Sequence, residues 1–307
     1  MKYIIFGCRG QLGKEITNLL ELKGANFLAF DLIDYDVTSY IPISRLLNLE
    51  KPDVVINCTA YSNVDMAEFE FEEAYKINVI GVQNLAEICK REKIKLVHYS
   101  TDYVFDGIKK IPGLPGLYTE EDATNPINVY GKTKLEGEKC LLEANDDALV
   151  FRTSWLYSDG EPNFITKVKQ WSEMNEFLRI ADDEFSVPTS TRIVANLTYQ
   201  AITNNLTGLY NLVCSGYASR LDWVKAIFEL TNTEKIIYPA KVKDFNLPAK
   251  RPPFSAMDNT KLSAALQIEI PYWKDELVLF FENQKDADKS KHPNLKRIRN
   301  EMGIIEY

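Results

Sequence analysis

The sequence predicts a doubly wound α/β fold on a parallel sheet, with a smaller C-terminal α/β unit beside it, and three observations support this. Residues 2–6 form a short apolar run that stops at a glycine, as a strand covered on both faces does. Gly7, Gly10 and Gly13 then punctuate the turn into a stretch whose apolar residues, Leu12, Ile16, Leu19 and Leu20, recur at helical spacing over residues 11–23. Apolar runs and helical stretches go on alternating, which is the rhythm of β-α-β units rather than of hairpins. A chain of 307 residues is long enough for one large domain or two modest ones.

The glycine turn reads Gly7-Cys8-Arg9-Gly10-Gln11-Leu12-Gly13. Glycine at these positions permits a tight turn, close approach of backbone to a pyrophosphate, and tight packing of helix on strand, with the helix N-terminus facing the anion. Its place directly after the first strand makes a dinucleotide the better reading than a merely tight turn. A second strand over 26–30 ends at Asp31, about twenty residues beyond the loop, where an acidic side chain can accept hydrogen bonds from an adenosine ribose. Asp31 favours NADH because its charge repels a 2′-phosphate, while Arg9 in the loop can reach that phosphate. The cofactor is therefore NADPH or NADH, with the choice open.

Residues 51–60 read as a turn, a third buried strand and a small-residue exit, and 70–91 as a long amphipathic helix. The fourth strand, 94–99, delivers Ser100, Thr101 and Asp102 to its carboxyl end, the side on which doubly wound sheets bind ligands. Residues 108–128 are loop-like, and the helix that follows places Tyr130 and Lys134 one turn apart on one face. A phenol of ordinary pKa near ~10 is a poor proton donor or acceptor at neutral pH unless a nearby cation stabilises its phenolate, and Lys134 can supply that cation. A fifth strand over 148–155 ends in Trp155. Further along come a helix from 163, a strand at 177–181, a helix at 192–203, a strand at 208–213, and helices near 221–230 and 273–282.

The formal net charge of -8 argues against nucleic acid or an anionic membrane as the main partner. Five cysteines, Cys8, Cys58, Cys89, Cys140 and Cys214, stand singly with only two histidines, so neither a disulfide framework nor a structural zinc site is indicated. No membrane-length apolar run and no leader pattern precede the first strand, which points to a cytoplasmic setting. No metal site is claimed. Glu15 on the first helix reads as a solvated carboxylate.

Ser-Thr-Asp-Tyr-Val-Phe-Asp-Gly at 100–107, with Tyr130-Gly131-Lys132-Thr133-Lys134 and the Gly-x-x-Gly-x-x-Gly loop, resembles the dTDP-4-dehydrorhamnose reductase group of the extended short-chain dehydrogenases/reductases. The resemblance reaches to about residue 282. It implies a Rossmann-type cofactor domain over 1–156 and 177–213, a substrate domain over 157–176 and 214–284, and a charged extension over 285–307 that it does not cover. It implies Tyr130 as proton donor, Lys134 on the nicotinamide ribose, and Thr101 on the substrate carbonyl with Asp102 nearby.

Asp36 and Val37 match an adenine contact, a turn aspartate being the alternative. Cys58, Thr59 and Ala60 match a segment lining the cofactor. Asn78 matches an asparagine that ties its helix to the neighbouring strand. Trp155 matches a tryptophan against the sugar or nucleotide, with core packing as the alternative. Arg251, in Ala-Lys-Arg-Pro, is implied as a diphosphate clamp, with a surface arginine as the alternative. Residues 183–189 keep Pro188-Thr189 of the family pattern but depart from it at Glu184 and Ser186. The activity implied is reduction of a 4-keto group on a nucleotide-linked 6-deoxysugar. A related reductase, epimerase or dehydratase, and a cofactor-binding regulatory subunit, are the rivals, and a homodimer is compatible.

Overall fold

Strand β1 (Lys2–Phe6) alternates its side chains between two cores: Tyr3 and Ile5 enter one and Ile4 and Phe6 the other, all buried. The structure, a computed structural model, describes residues 1–111, 114–160 and 162–291. Five more strands join β1: β2 (Asn26–Phe30), β3 (Val54–Asn57), β4 (Lys95–Thr101), β5 (Leu149–Thr153) and β6 (Gly208–Asn211). They form one sheet in the order β6-β5-β4-β3-β1-β2, with every pairing parallel. The chain runs outward from β1 to β2 and then returns to the other side of β1 as β3. A crevice opens at that reversal, beyond the carboxyl ends of the strands.

Helices α1 (Gln11–Leu22) and α2 (Tyr40–Glu50) cover opposite faces of the sheet: Leu12, Ile16 and Leu20 share the core of Tyr3, while Ile43, Leu46 and Leu47 share that of Ile4. Each such aliphatic side chain contributes roughly 1.5–3 kcal/mol on burial. The helix expected over 70–91 forms as α3 (Phe71–Tyr75) and α4 (Gly81–Glu92), joined by a π turn at Lys76–Ile80. Asn78 in that turn donates to Thr133 and exchanges hydrogen bonds with the backbone of Tyr61, so it ties the helix to the exit of β3 and to α5 (Val129–Ala144). A Cβ on Gly137 of α5 would lie 2.0 Å from the Asn78 carbonyl oxygen, so only glycine permits this approach.

A third core lies beside the sheet. It contains residues of α6 (Phe164–Met174), α8 (Arg220–Thr231) and α10 (Trp273–Lys291), with Trp223 fully buried in it. Between these, α7 (Thr191–Thr203) returns to pack beside α1, and α9 (Thr260–Leu266) contributes Leu262 and Leu266 to the same core.

One expectation needs correction. The strand at Phe177–Ala181, expected in the cofactor domain with the rest of 177–213, forms but pairs in parallel with Ile236–Ala240 and not with the six-stranded sheet. Phe177 and Arg179 are exposed while Leu178 and Ile180 enter the third core, so this strand has only one covered face, and β6 already occupies the position beside β5. Helix α10 continues past the expected end at 282, and residues 292–307 of the charged extension lie outside the described residues. Among the described residues no helix is long and apolar enough to cross a membrane.

Candidate active site

The glycine loop is built on steric exclusion. Gly7 has φ +79°, and its amide and that of Cys8 donate to the Phe30 carbonyl at 2.9 and 3.2 Å. A Cβ at Gly13 would lie 2.1 Å from the Gly7 carbonyl oxygen. Helix α1 starts at Gly10 without a side-chain cap, and Gly10, Gln11 and Leu12 line a cleft of about 400 Å³. Uncapped first-turn amides beside such a cleft suit a phosphate.

Asp31 closes the far side of the loop, where its carboxylate accepts the backbone amides of Arg9 at 2.9 Å and Leu32 at 2.8 Å. The Arg9 side chain is exposed. Asp36 accepts both the amide and the hydroxyl of Thr38, as a turn aspartate does, and Val37 is buried against Gly81. Cys58 and Ala60 line the cleft, whereas Thr59 turns its amide and hydroxyl to Asn57.

At the cleft's centre the carboxyl end of β4 meets the first turn of α5. Asn128 caps α5 by accepting the Gly131 amide at 2.7 Å, and a Cβ on Gly131 would lie 2.2 Å from the Tyr103 carbonyl oxygen, so the helix start is pressed onto the segment after β4. Tyr130 thereby stands beside Thr101, whose hydroxyl is its hydrogen-bond partner, with the Tyr103 ring edge-on at 6.0 Å. Burial pushes the Tyr130 phenol up to about 12, and the Thr101 hydrogen bond opposes this.

Lys134 is 2% exposed, and burial brings its ammonium down to about 8. The anticipated stabilisation of a Tyr130 phenolate by Lys134 is not present in this structure: Nζ donates to the Tyr99 carbonyl at 2.6 Å and lies 3.4 Å from His98 Nε2. Two further residues, which the sequence reading did not single out, therefore position Lys134. Asn57 Oδ1 accepts the amide and hydroxyl of Thr59, which turns its Nδ2 toward His98 Nδ1 at 3.2 Å. Asn57 Nδ2 and the Lys134 ammonium are both donors and a neutral imidazole has a single acceptor nitrogen, so the two compete for the His98 lone pair. Burial and the nearby Lys134 hold His98 well below its ordinary pKa, hence neutral.

Beyond Tyr130 lies a charged and aromatic wall. Asp102, 2% exposed, accepts three hydroxyls: Ser255 at 2.5 Å, Ser186 at 2.7 Å and Thr101 at 3.1 Å. Burial nevertheless raises its pKa to about 6. Ser186, one of the two departures from the family pattern, is thus a ligand of Asp102.

Trp155 lines the cleft at φ +42°, stacked on Trp223 at 5.5 Å and under the Arg220 guanidinium at 3.6 Å. Glu184, the other departure, accepts from Arg220 and from the Tyr103 hydroxyl. Arg220 was also missed, since nothing in its local sequence distinguishes it from a surface helix arginine. Arg251, expected at a diphosphate, is not among the residues lining this cleft: its Nη2 donates to Asp65 at 2.8 Å and its Nη1 to the Ala249 carbonyl at 3.0 Å.

The parallel sheet, the glycine loop and the tyrosine–lysine pair at the strand ends define a Rossmann-type short-chain dehydrogenase/reductase. More narrowly, the family model described as RmlD substrate binding domain matches residues 1–285, and the chain belongs to the dTDP-4-dehydrorhamnose reductase family. It is 34% identical to the dTDP-4-dehydrorhamnose reductase of Escherichia coli K12 over 291 residues, 89% of this chain and 95% of that protein. It is 33% identical to that of Aggregatibacter actinomycetemcomitans over 289 residues, 90% of this chain and 97% of that one.

Among solved structures, a dTDP-4-dehydrorhamnose reductase from Clostridium acetobutylicum superposes with TM-score 0.88 at 35% identity, covering 93% of this chain and all of that one. The Bacillus anthracis enzyme, in complex with NADP, gives 0.87 at 31% identity, covering 92% and 99%. The UDP-glucose 4-epimerase of Thermus thermophilus shares the fold at 17% identity.

Proposed function

We propose that this chain reduces the 4-keto group of dTDP-4-dehydro-L-rhamnose to give dTDP-L-rhamnose, with NADPH or NADH as reductant. The observation that carries the reading is the Tyr130 phenol on the Thr101 hydroxyl in a cleft that begins at the glycine loop. Relatives that match over nine-tenths of the chain bear the name of this activity, and one of them is complexed with NADP.

The residues present fit a dinucleotide. Gly7, Gly10 and Gly13 leave room for backbone approach, and the buried hydroxyls of Ser100 and Thr153, both on the cleft, have no hydrogen-bond partner among the described residues. Gly7 to Gly13 would hold the pyrophosphate, with Asp31, Arg9, Asp36 and Val37 toward the adenosine, and Cys58, Thr59 and Ala60 beneath the nicotinamide side. When bound, the reduced nicotinamide supplies the hydride.

Thr101 polarises the keto oxygen, and the Tyr130 hydroxyl gives its proton to the oxygen as charge develops there. A pKa near 12 keeps that proton in place at neutral pH and still lets it pass to a more basic alkoxide. Lys134, which lines the same cleft, would hold the ribose. Asp102 and Trp155 contact the sugar. A cytoplasmic setting goes with this reading, since reduced coenzyme and nucleotide sugars occur together there.

The test is coenzyme oxidation by the purified full chain with dTDP-4-dehydro-L-rhamnose, run separately with NADPH and NADH, and product identification by NMR. Oxidation with formation of dTDP-L-rhamnose supports the reading. Tight binding of either coenzyme without turnover of this sugar sinks it.

A further inference from the structure

We infer that Arg220 is the cation that receives the diphosphate of the nucleotide sugar, with Trp155 and Glu184 as the residues that hold its guanidinium in place. The inference rests on the reading above for the nature of the substrate. Of the described residues lining the cleft, Lys134 and Arg220 carry positive charge. Lys134 is buried beneath Tyr99 and His98 and is the residue assigned above to the nicotinamide ribose, so it is not the group left for a diphosphate. Arg251 interacts with Tyr103 and Glu184 from behind the wall, and its Nη2 is engaged with Asp65. Arg220 is thus the guanidinium on the cleft wall that a substrate with two phosphates can reach.

The way Arg220 is held fits this role. Its guanidinium lies flat on Trp155 at 3.6 Å, with Phe164 at 4.8 Å, so it is fixed in one plane. Nε and Nη2 donate to Glu184 at 3.4 and 3.3 Å, while Nη1 has no hydrogen-bond partner among the described residues. Glu184 is itself anchored by the Tyr103 hydroxyl at 3.2 Å, and its backbone carbonyl accepts the Arg220 amide at 3.2 Å. One edge of the fork is thus occupied and the other is open on a cleft wall. The Ser219–Asp222 capping box starts α8 at this residue, which fixes the backbone that carries it.

The experiment is calorimetric titration of dTDP, and of thymidine as the phosphate-free control, into the NADPH-loaded full chain of the wild type, Arg220→Gln and Arg220→Lys. Loss of a charge-assisted contact to phosphate should weaken dTDP by about ten- to a hundredfold in Arg220→Gln, with a smaller loss in Arg220→Lys. Thymidine and NADPH should bind all three alike. A residue that merely braces the fold would weaken thymidine or NADPH as well, and that pattern overturns the assignment. Unchanged dTDP affinity in Arg220→Gln, in a preparation whose wild type still reduces the sugar, overturns it while leaving the proposed activity intact. Wild-type protein that neither binds dTDP nor turns over the sugar overturns both.

Discussion

Two arginine–glutamate pairs in this molecule use the same chemistry for different ends. Arg152 and Glu138 are each 3% exposed and meet through two short bonds, Nη2 to Oε1 at 2.5 Å and Nε to Oε2 at 3.0 Å. They clamp α5, the helix of Tyr130 and Lys134, to the edge of β5. Arg220 and Glu184 are 19% and 9% exposed, and their bonds are longer, at 3.3 and 3.4 Å, on the wall of the cleft. The first pair has no solvent to fall back on, so it holds structure. The second is kept loose enough to face a ligand.

The contrast should be sharpest in stability. Glu138→Ala leaves a buried guanidinium without its counter-ion and should cost about 3–5 kcal/mol in chemical denaturation, with α5 and the Tyr130 site lost together. A result under about 1 kcal/mol would erase the distinction between the pairs.

Asp102 provides a middle case, a buried carboxylate satisfied by hydroxyls and not by an adjacent cation. Its pKa is raised from 3.8 to about 6, so the protonated form is favoured on folding. Stability from this group is then fully present below about pH 4 and lost as pH rises through about 6, a swing of up to about 3 kcal/mol. Urea unfolding of the wild type should show this slope, and Asp102→Asn should flatten it.

In turnover, the ammonium of Lys134 is lost as pH rises through about 8, so the rate should fall on the alkaline side with a limb near that value. A profile flat to pH well above it would mean that Lys134 stays charged against its burial. The smallest effect is expected at Arg220, where Arg220→Gln should change unfolding free energy by only about 0–1 kcal/mol, because its pair is partly solvated.

The parts of the site that depend on local spacing were readable in the sequence. Gly7, Gly10 and Gly13 announce their steric role by position, and Tyr130 and Lys134 announce their shared face by one helical turn. Thr101 and Asp102 follow from the end of an apolar strand together with the family motif.

What the sequence concealed depends on partners far along the chain. Asn57 and His98, 41 residues apart, meet because β3 and β4 are neighbours, and Glu184 reaches Tyr103 across 81 residues. The coupling expected between Tyr130 and Lys134 is redirected by a strand carbonyl whose position no spacing rule gives. Arg251, expected as a clamp in a rigid Pro-flanked setting, donates to Asp65, 186 positions earlier, a partner that no local pattern gives. The strand at Phe177–Ala181 was legible as a strand, but its neighbour was not; the exposed Arg179 in its middle is the one sign that a single face is covered.

The central claim is that Tyr130 is the proton donor of a ketone reduction. Single-turnover reduction of dTDP-4-dehydro-L-rhamnose by the NADPH-loaded full chain, wild type against Tyr130→Phe, tests it most directly. The variant should bind NADPH and dTDP normally and lose about 10²–10⁴-fold in the rate of reduction. A rate within a fewfold of the wild type would contradict the account and return the proton to another group in the cleft.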